Sequence, residues 1–534
     1  MTNSNFTNSF SRTEILKRIE GGAFDVLVVG GGATGLGVAV DSAQRGYKTC
    51  LVEAFDFAKG TSSRTTKLVH GGVRYLQQLD LQLVVEALRE RGLMHENAPH
   101  LVHPLRFVIP RYGWWQGPFY GAGLMLYDLL AGRQNFARSR WLNAAQTTAA
   151  LPTLVRAGLR GGIEYHDGQF DDSRMAVALA RTAAGLGAAL ANGMRALGLL
   201  KDAQGRVCGV NAFDAESGRT ISVNAKVVVN ACGIFSDELR TADDFDAPHM
   251  ITPAQGVHLV LQRSFLPGSH ALMVPRTDDG RVLFMIPWHE RVVIGTTDTP
   301  VPMLQVEPRP LPEEIDFILR NASRYLQRPP TRADVLSVFT GMRPLVHAGG
   351  INAPTKSISR SHKVLVSASG LVSVMGGKWT TYRSMAADTM ERAIEAGGLE
   401  PRACGTATLR VHGWLPNTPL AAPGADWLRV YGSDAASVGV VCSELPEWGL
   451  PMHPALPYPL GVAAHAARYE MARCTEDVLA RRTRALFLDA RAAAECAPAV
   501  AAVLAMELQR DSAWAAQDAA AFQQLALGYQ LDAW

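Results

Sequence analysis

The pattern of hydrophobic and polar residues changes along the chain, and each pattern predicts a different kind of element. Residues 25–53 start with an apolar run, pass through a glycine cluster into apolar positions at helical spacing, and end in a second apolar run. This order predicts strand, loop, helix and strand. Residues 80–93 repeat apolar side chains at helical spacing. Short apolar runs between turn residues predict β-structure over 206–229 and 250–297. The pattern therefore indicates an α/β protein.

Proline and alanine mark further boundaries in the second half of the chain. Prolines flank a predicted helix over 313–325, and a strand with a glycine turn at 364–377 leads into a helix that ends near residue 396. Prolines accumulate between 405 and 460, and the alanine-rich stretch that follows has helical spacing. We expect a separate C-terminal helical module there.

Composition narrows the class of protein. The chain has 534 residues, several times the roughly 100–150 of a typical domain, so we expect two or three packed units. Hydrophobic residues make up 48% and charged residues 19%, which argues against disorder, a coiled coil and a polytopic membrane protein. The net charge of +3 argues against a surface built to coat nucleic acid. Any cationic function must therefore be local.

The cysteines and the N-terminal residues bear on compartment. Seven scattered cysteines without CxxC spacing favour reduced thiols in the cytoplasm over a disulfide framework or a zinc site, so we expect no metal. Residues 1–24 are polar and lack the apolar run of a signal peptide. No segment reaches the roughly 18–20 uninterrupted apolar residues of a spanning helix, which leaves peripheral membrane contact open.

The glycine cluster has the spacing of a dinucleotide-binding turn. Gly30 permits the tight turn, Gly32 lets backbone N–H groups approach a pyrophosphate, and Gly35 allows close packing of helix and strand. Glu53 ends the second strand, where a carboxylate can accept hydrogen bonds from ribose hydroxyls. Its charge disfavours NADP. The fingerprint by itself does not distinguish NAD from FAD.

Four further motifs follow in order. They are TSSRTTKLVHGGVRYL at 61–76, GMRPL at 341–345, SISR at 357–360 and GGKWTTYR at 376–383. Together they closely resemble the aerobic, quinone-linked, FAD-dependent glycerol-3-phosphate dehydrogenases of the D-amino-acid-oxidase-like flavoproteins. The resemblance extends from about residue 22 to 390 and continues more loosely into 476–484. Glycerol-3-phosphate oxidases share much of the pattern.

The resemblance implies an α/β fold with three parts after an N-terminal extension at 1–24. A discontinuous Rossmann-like FAD-binding domain spans 25–400 and contains an inserted antiparallel β-sheet that forms the substrate domain, roughly at 95–150 and 245–335. A C-terminal α-helical cap occupies 405–534. The motif IGTTD at 294–298 is expected to support the site from the inserted sheet.

The resemblance also implies a reaction. The protein is expected to oxidise sn-glycerol 3-phosphate to dihydroxyacetone phosphate by hydride transfer to FAD and to pass the electrons to a membrane quinone. One alternative is a glycerol-3-phosphate oxidase that reduces oxygen to hydrogen peroxide. Another, from a different class, is a non-catalytic FAD-dependent scaffold whose helical module binds a partner. The sequence leaves the oligomeric state undetermined, and a homodimer is the hypothesis that we carry forward.

The family's substrate and catalytic residues map onto charged positions of the motifs. Arg74 and Arg360 are assigned to the phosphate, because a guanidinium donates two hydrogen bonds to its oxygens, and Tyr75 adds a hydroxyl donor. His70 is the candidate general base, since an ordinary histidine pKa of roughly 6.5 suits that task at neutral pH. The alternative is that His70 hydrogen-bonds the flavin or holds a loop. Arg343 is assigned to polarising the C2 oxygen.

The cofactor contacts complete the set of site residues. Lys378 is expected near the flavin pyrimidine edge or the substrate phosphate, where a cation favours the anionic reduced flavin. The other residues expected to contact FAD are Gly30, Gly32, Gly35, Glu53, Thr61, Ser62, Thr65, Thr66, Lys67, Gly71, Gly72, Gly233, Gly376, Gly377 and Thr380.

Residues 111–130 concentrate aromatic and aliphatic side chains close to several arginines. This combination suits an element at a membrane interface, and the competing interpretation is a core helix beneath the inserted domain. Because a quinone dissolves in the membrane, a quinone reductase must touch the bilayer. We therefore expect peripheral association with the inner face of the cytoplasmic membrane.

Overall fold

The computed structural model describes residues 10–72, 81–113, 116–346, 362–416 and 426–533. The strands in these ranges are β1 (Ala23–Val29), β2 (Thr49–Val52), β3 (Leu68–Val69), β4 (Val102–Arg111), β5 (Arg140–Leu142), β6 (Gly161–Phe170), β7 (Ala189–Ala191), β8 (Met194–Lys201), β9 (Val207–Asp214), β10 (Arg219–Asn230), β11 (Ile251–Gln262), β12 (His270–Val274), β13 (Leu283–Trp288), β14 (Arg291–Gly295), β15 (Thr299–Pro300), β16 (Val335–Val346), β17 (His362–Val366) and β18 (Val372–Gly376).

The helices divide between the first 400 residues and the C-terminal part. They are α1 (Arg12–Glu20), α2 (Ala33–Gln44), α3 (Leu81–Asn97), α4 (Gln116–Ala131), α5 (Ala144–Ala150), α6 (Asp172–Gly185), α7 (Ser236–Asp243), α8 (Pro312–Ser323), α9 (Tyr382–Ala396), α10 (Asp426–Arg429), α11 (Ala435–Cys442), α12 (Val462–Tyr469), α13 (Ala485–Leu488), α14 (Ala490–Leu508) and α15 (Ser512–Leu527). A π-helical turn covers Asp477–Arg482.

The first sheet is a discontinuous Rossmann-like sheet, as the sequence predicted. Its strand order is β17-β18-β10-β1-β2-β7, with the β8–β9 hairpin attached to β10. From β18 to β7 each strand is parallel to the next in this order, whereas the edge strand β17 is antiparallel to β18. The apolar run that forms β1 and β2 is largely buried, as expected where helices cover both faces of a parallel sheet.

The second sheet is built from two insertions between strands of the first. Strands β3 to β6 precede β7, and β11 to β16 lie between β10 and β17. Its strand order is β15-β11-β14-β13-β12-β4-β6-β3, with β16 paired to β11 and β5 to β6. Its strands run over 68–170 and 251–346. They extend past both ends of the expected segment at 95–150 and past the C-terminal end of the one at 245–335.

One strand pair departs from the antiparallel arrangement of the second sheet. Strands β4 and β12 are parallel, and this pair joins the two insertions, while the other strand pairs described in this sheet are antiparallel. A hairpin turn forces neighbouring strands to be antiparallel, but no such turn connects β4 with β12. Local sequence therefore does not determine their relative direction.

The C-terminal part is helical, as predicted. Helices α14 and α15 pack together, and their core includes Val500, Leu504 and Phe522. The same apolar cluster includes Val260 and Phe339 of the second sheet, so the helical module shares a core with that sheet. Among the helices of the described ranges, none is long and apolar enough to cross a bilayer.

Candidate active site

The glycine turn after β1 forms a cradle that leaves no room for side chains. Gly30 has a φ of +109°, and a Cβ at this position would lie 2.6 Å from the carbonyl oxygen of Ala231. A Cβ on Gly35 would lie 1.9 Å from the carbonyl oxygen of Gly30. Gly32 is the N-cap of α2 and has no side chain to cap the first turn. The helix N-terminus can therefore receive an anionic group.

Glu53 lies at the end of β2, opposite the glycine turn. One carboxylate oxygen accepts a hydrogen bond from the N–H of Gly31 at 2.5 Å, and the other accepts from Phe55 at 2.8 Å. Burial raises the pKa of Glu53. A carboxylate has about four acceptor positions, so these two contacts leave acceptor capacity for ligand hydroxyls.

A cavity of about 490 Å³ adjoins this turn. Of the residues singled out from the sequence, it is lined by Gly30, Gly32, Glu53, Thr61, Ser62 and Gly233. Its volume falls within the roughly 300–1,000 Å³ of ligand-binding pockets. The glycine turn and the first part of the TSSRTTK segment thus share one cavity.

The segment after β2 is fixed by hydrogen bonds to three distant elements. Ser62 Oγ accepts from the N–H of Ala33 at 2.9 Å, and its carbonyl accepts from Trp379 Nε1 at 2.8 Å. Thr61 Oγ1 donates to the carbonyl of Met342 at 2.6 Å. These contacts connect the segment to α2, to the GGKWTT motif and to β16, so three predicted motifs meet here.

A second cavity, of about 270 Å³, continues from the first. Gly32, Thr61, Ser62 and Gly233 line both. The other predicted site residues on its wall are Thr65, Thr66, His70, Arg343, Gly376, Gly377, Lys378 and Thr380. The structure therefore brings residues more than 300 positions apart in the sequence to one cavity.

Arg343 lies on β16 and is held by oxygen atoms of the second sheet. Its guanidinium donates to Asp298 Oδ1 at 3.0 Å and to the carbonyl of Thr297 at 2.9 Å. It also reaches the carbonyl of Gln255 on β11 at 3.2 Å. Asp298 belongs to the IGTTD motif, so this motif supports the site by orienting an arginine.

His70 lies where the second cavity meets a third one of about 190 Å³. Gly72 and Arg343 also line the third cavity. The rest of its wall is partly aromatic and includes Phe107, Tyr165 and Phe284. His70 and Arg343 therefore stand at the junction between a large cavity and a smaller chamber on the inserted sheet.

Three predicted contact residues do not line any of these cavities. Lys67 is fully buried, and its ammonium group binds Asp172 at 2.7 Å and the carbonyl of Ser63 at 2.7 Å. The position of Lys67 thus argues for a structural ion pair and not for a cofactor contact. Gly35 serves packing between helix and strand, and the N–H of Gly71 donates to Tyr127 Oη at 2.8 Å.

His258 is a cavity residue that the motif analysis missed. It lies on β11, and its Nε2 is 2.9 Å from Thr66 Oγ1, while its ring stacks on Phe339 with 4.8 Å between centroids. Burial, and then the charges of Lys67 and Arg343, lower its pKa well below the ordinary value. The imidazole is therefore neutral at physiological pH. The sequence signal for it is a polar residue within the apolar run at 257–261.

The predicted phosphate-binding residues Arg74, Tyr75 and Arg360 lie outside the described residues. Their assignment stays a prediction. Part of the aromatic stretch at 111–130 is described, and it forms helix α4.

Comparison with known proteins identifies related families. A family model described as FAD dependent oxidoreductase matches residues 25–383, and one described as the C-terminal domain of alpha-glycerophosphate oxidase matches residues 375–515. The mitochondrial glycerol-3-phosphate dehydrogenase of Macaca fascicularis is 42% identical over 520 residues, which cover 91% of this chain and 71% of the relative.

Two solved structures extend the comparison. The glycerol-3-phosphate dehydrogenase from Bacillus halodurans, complexed with FAD, is 30% identical with a TM-score of 0.79 and a coverage of 98% of both chains. The L-alpha-glycerophosphate oxidase from Mycoplasma pneumoniae, with FAD bound, is 15% identical with a TM-score of 0.56; the match covers 74% of this chain and all of that one. The second likeness concerns the fold alone.

The residues present fit FAD. The glycine turn and the start of α2 would receive the pyrophosphate, and Glu53 would accept from the ribose in the 490 Å³ cavity. The adjoining 270 Å³ cavity, walled by Gly376 and Gly377, would receive the flavin ring system. The expectation of FAD as cofactor is confirmed by the family match.

Proposed function

The chain belongs to the FAD-dependent glycerol-3-phosphate dehydrogenases, and from this premise we propose that it oxidises sn-glycerol 3-phosphate to dihydroxyacetone phosphate and passes the electrons to a membrane quinone. The observation that carries the proposal is the position of His70 and Arg343. Both line the cavity that fits the flavin and the smaller chamber beside it. A small alcohol in that chamber would face a base and a cation together.

Oxidation of a secondary alcohol removes a hydride from C2 and a proton from its hydroxyl, which leaves a ketone. FAD supplies the acceptor for the hydride when it is bound. His70 takes the hydroxyl proton as general base. Arg343 donates hydrogen bonds to the C2 oxygen and stabilises the negative charge that develops there. Asp298 and the Thr297 carbonyl hold the guanidinium in place for this task.

Phosphate recognition is assigned to Arg74, Tyr75 and Arg360. Arg74 and Tyr75 belong to the motif at 61–76, whose Thr66 and His70 line the 270 Å³ cavity. Arg360 belongs to the separate motif at 357–360, and its assignment rests on the resemblance to the family. Lys378 adds a cation on the wall of the 270 Å³ cavity. Arg and Lys together would offset the two negative charges of the phosphate.

Helix α4 supports contact with the membrane that holds the quinone. Met125 is 61% exposed and Leu129 is 76% exposed on this helix, and Trp141 nearby in the chain is 45% exposed. Large apolar side chains exposed together mark a surface for a partner or a lipid phase. We assign this surface to the inner face of the cytoplasmic membrane.

An oxidase is the second candidate, because the C-terminal region matches a model described for alpha-glycerophosphate oxidase. The same His70 and Arg343 would serve the first half-reaction in either enzyme. The two functions differ in what reoxidises the flavin: a quinone in one, and oxygen with release of hydrogen peroxide in the other.

The proposal is tested by mixing the purified holoprotein anaerobically with sn-glycerol 3-phosphate in a stopped-flow instrument. We expect flavin bleaching, then reoxidation by a short-chain quinone faster than by oxygen, with little peroxide.

The variant Arg343→Met should lower the reduction rate about 100-fold to 1,000-fold, as for other oxyanion donors. Arg328→Met, which removes an arginine that is 68% exposed, is the matched control. A flavin that the substrate fails to bleach contradicts the proposal, and stoichiometric peroxide would favour the oxidase. Light scattering on the same preparation would test the homodimer hypothesis.

A further inference from the structure

A buried chain of hydrogen bonds ends on the backbone beside His70. The N–H of Gly71 donates to Tyr127 Oη at 2.8 Å, and Tyr127 Oη donates to Asp167 Oδ2 at 2.8 Å. The other oxygen of Asp167 accepts from Arg91 Nη1 at 2.8 Å. Tyr127, Asp167 and Arg91 belong to α4, β6 and α3, so three elements converge on one amide group.

The hydroxyl of Tyr127 makes both hydrogen bonds through a single oxygen atom. It accepts from the Gly71 amide and donates to Asp167, which a hydroxyl can do because it is both donor and acceptor. The side chain is fully buried, and burial together with the negative charge of Asp167 raises its pKa well above the ordinary value. The hydroxyl therefore stays protonated and remains a donor.

Side chains of α3 and α4 also fill the space next to Gly71. A Cβ at this position would lie 2.6 Å from Tyr127 Oη and 2.5 Å from Leu88 Cδ2. The backbone is thus pressed against α3 and α4 as well as hydrogen-bonded to them. His70 and Gly72 on either side line the 190 Å³ chamber, so a shift at Gly71 moves the wall of that chamber.

We propose that Tyr127 is a positioning residue, which fixes the backbone at Gly71 and thereby the place of His70 between the flavin cavity and the substrate chamber. The inference rests on the proposed function, in which His70 acts on the substrate hydroxyl. Asp167 and Arg91 orient the hydroxyl and keep it directed to the amide. None of these three residues is required to touch the substrate for this role.

The test uses the holoenzyme variant Tyr127→Phe, which removes one oxygen and leaves the ring. Anaerobic stopped-flow reduction by sn-glycerol 3-phosphate gives the limiting reduction rate and the apparent Kd, and absorbance gives the ratio of FAD to protein. We expect the limiting rate to fall about tenfold, which corresponds to about 1.4 kcal/mol. The apparent Kd should change less than twofold, and the FAD ratio should stay at the wild-type value.

Two further variants make the result decisive. Gly71→Ala perturbs the same contact from the other side and should lower the limiting rate at least as much. Tyr47→Phe removes another buried hydroxyl, which donates to the carbonyl of Glu400, and should leave the rate unchanged. A Tyr127→Phe rate within twofold of wild type overturns the inference. So does a fall in rate matched by an equal loss of bound FAD, because Tyr127 would then act through folding. A wild-type flavin that the substrate does not reduce overturns the proposed function, and the positioning role with it.

Discussion

The C-terminal segment and helix α4 both hold the active-site segment 61–72, and they do so by different physical means. Arg484 of the C-terminal segment donates to the carbonyl of Ser63 at 2.7 Å and lies 3.2 Å from Asp172. On α4, Tyr127 holds the amide of Gly71 through one hydroxyl. The first contact is made by a charged side chain within a set of buried ion pairs, whereas the second is made by a neutral hydroxyl that one buried ion pair, Asp167–Arg91, orients.

The C-terminal module docks on the segment after β2 and on helix α6 through buried ion pairs. We call this set, made up of Asp56, Arg174, Glu470, Arg481 and Arg482, the charged docking surface. Arg482 lies 2.7 Å from Asp56, and Arg174 binds both oxygens of Glu470 at 2.7 and 2.6 Å. Because buried charges need their partners, this contact is suited to a permanent union of two parts of one chain.

Helix α4 has an apolar face on each side. Leu124 and Tyr127 are buried against the protein, whereas Met125, Leu126 and Leu129 are exposed. We call these three exposed residues the α4 face. One side of the active-site segment is thus held by ion pairs within the chain, while the other side contacts a helix whose opposite face exposes apolar side chains.

The largest effect is expected from Asp56→Asn. This change keeps the shape of the side chain but leaves Arg481 and Arg482 with less negative charge in a buried place. Breaking a buried ion pair typically destabilises by about 3–5 kcal/mol. We expect a marked fall in the thermal unfolding midpoint. The control is Asp532→Asn. The side chain of Asp532 is 65% exposed and pairs with Arg491, so this change should leave the midpoint unchanged. Equal effects of the two changes would contradict the importance of the buried surface.

The next effect concerns pH and Glu470. Burial would raise the pKa of Glu470, but the charge and hydrogen bonds of Arg174 outweigh burial and lower it to about 2. The unfolded value is about 4.3, so the stabilisation is complete above about pH 5 and is lost as pH falls toward 2. It amounts to something on the order of 3 kcal/mol.

Urea unfolding of wild type and Glu470→Gln between pH 7 and pH 3 measures this dependence. The difference in unfolding free energy should be large at pH 7 and shrink as the pH falls. Glu14→Gln, at a side chain that is 54% exposed, should show little difference at any pH. A difference that stays constant from pH 7 to pH 3 would show that Glu470 stabilises through its shape and not its charge.

Local patterns predicted the unit of β1, glycine turn, α2 and β2 because its contacts are close in sequence, whereas the discontinuous sheet around it, with β10 beside β1, was implied by the resemblance. Strand β1, the glycine turn, α2 and β2 lie within Ala23–Val52, and each carries its own signal. The charged docking surface had no such signal. Asp56 and Arg482 are 426 residues apart, and nothing in the residues around either one specifies the other.

The TSSRTTK segment shows where motif reasoning stops. The resemblance assigned Thr66 and Lys67 alike to the cofactor, but Thr66 lines the 270 Å³ cavity while the ammonium group of Lys67 binds the buried carboxylate of Asp172. A motif records which residues occur together and not which way each side chain faces. The roles of His258 and Tyr127 depend on strand and helix packing, which one sequence without its fold does not reveal.

Arg484→Met separates cofactor retention from substrate chemistry. The change removes the guanidinium that donates to the Ser63 carbonyl. It also removes one of the two cations that contact Asp172 in the described residues, and the other, Lys67, remains. We expect FAD to be released about tenfold more readily, as one charge-assisted hydrogen bond of about 1.5–3 kcal/mol is lost. Flavin fluorescence during a urea titration of the holoprotein measures the release.

Two comparisons sharpen this result. Arg484→Lys keeps the charge and should retain FAD better than the Met variant. Tyr127→Phe should release FAD as wild type does, since its contact lies on the substrate side of the segment. If Arg484→Met and Tyr127→Phe released FAD equally, the division of labour between the C-terminal segment and α4 would be wrong.

The smallest effect on stability is expected on the α4 face. Leu129 is 76% exposed, so Leu129→Ser should change the unfolding free energy by no more than about 0.5 kcal/mol. Burying a leucine side chain in an apolar phase gains about 1.5–3 kcal/mol, so binding to vesicles of phosphatidylethanolamine and phosphatidylglycerol should weaken about tenfold.

Val440→Ser, at a residue of the C-terminal module that is 65% exposed, is the matched control and should bind as wild type. Vesicle co-sedimentation measures both. Equal loss with the two variants would mean that lipid contacts apolar surface without preference for α4, and the contrast between a closed side and an open side of the active-site segment would then lose its basis.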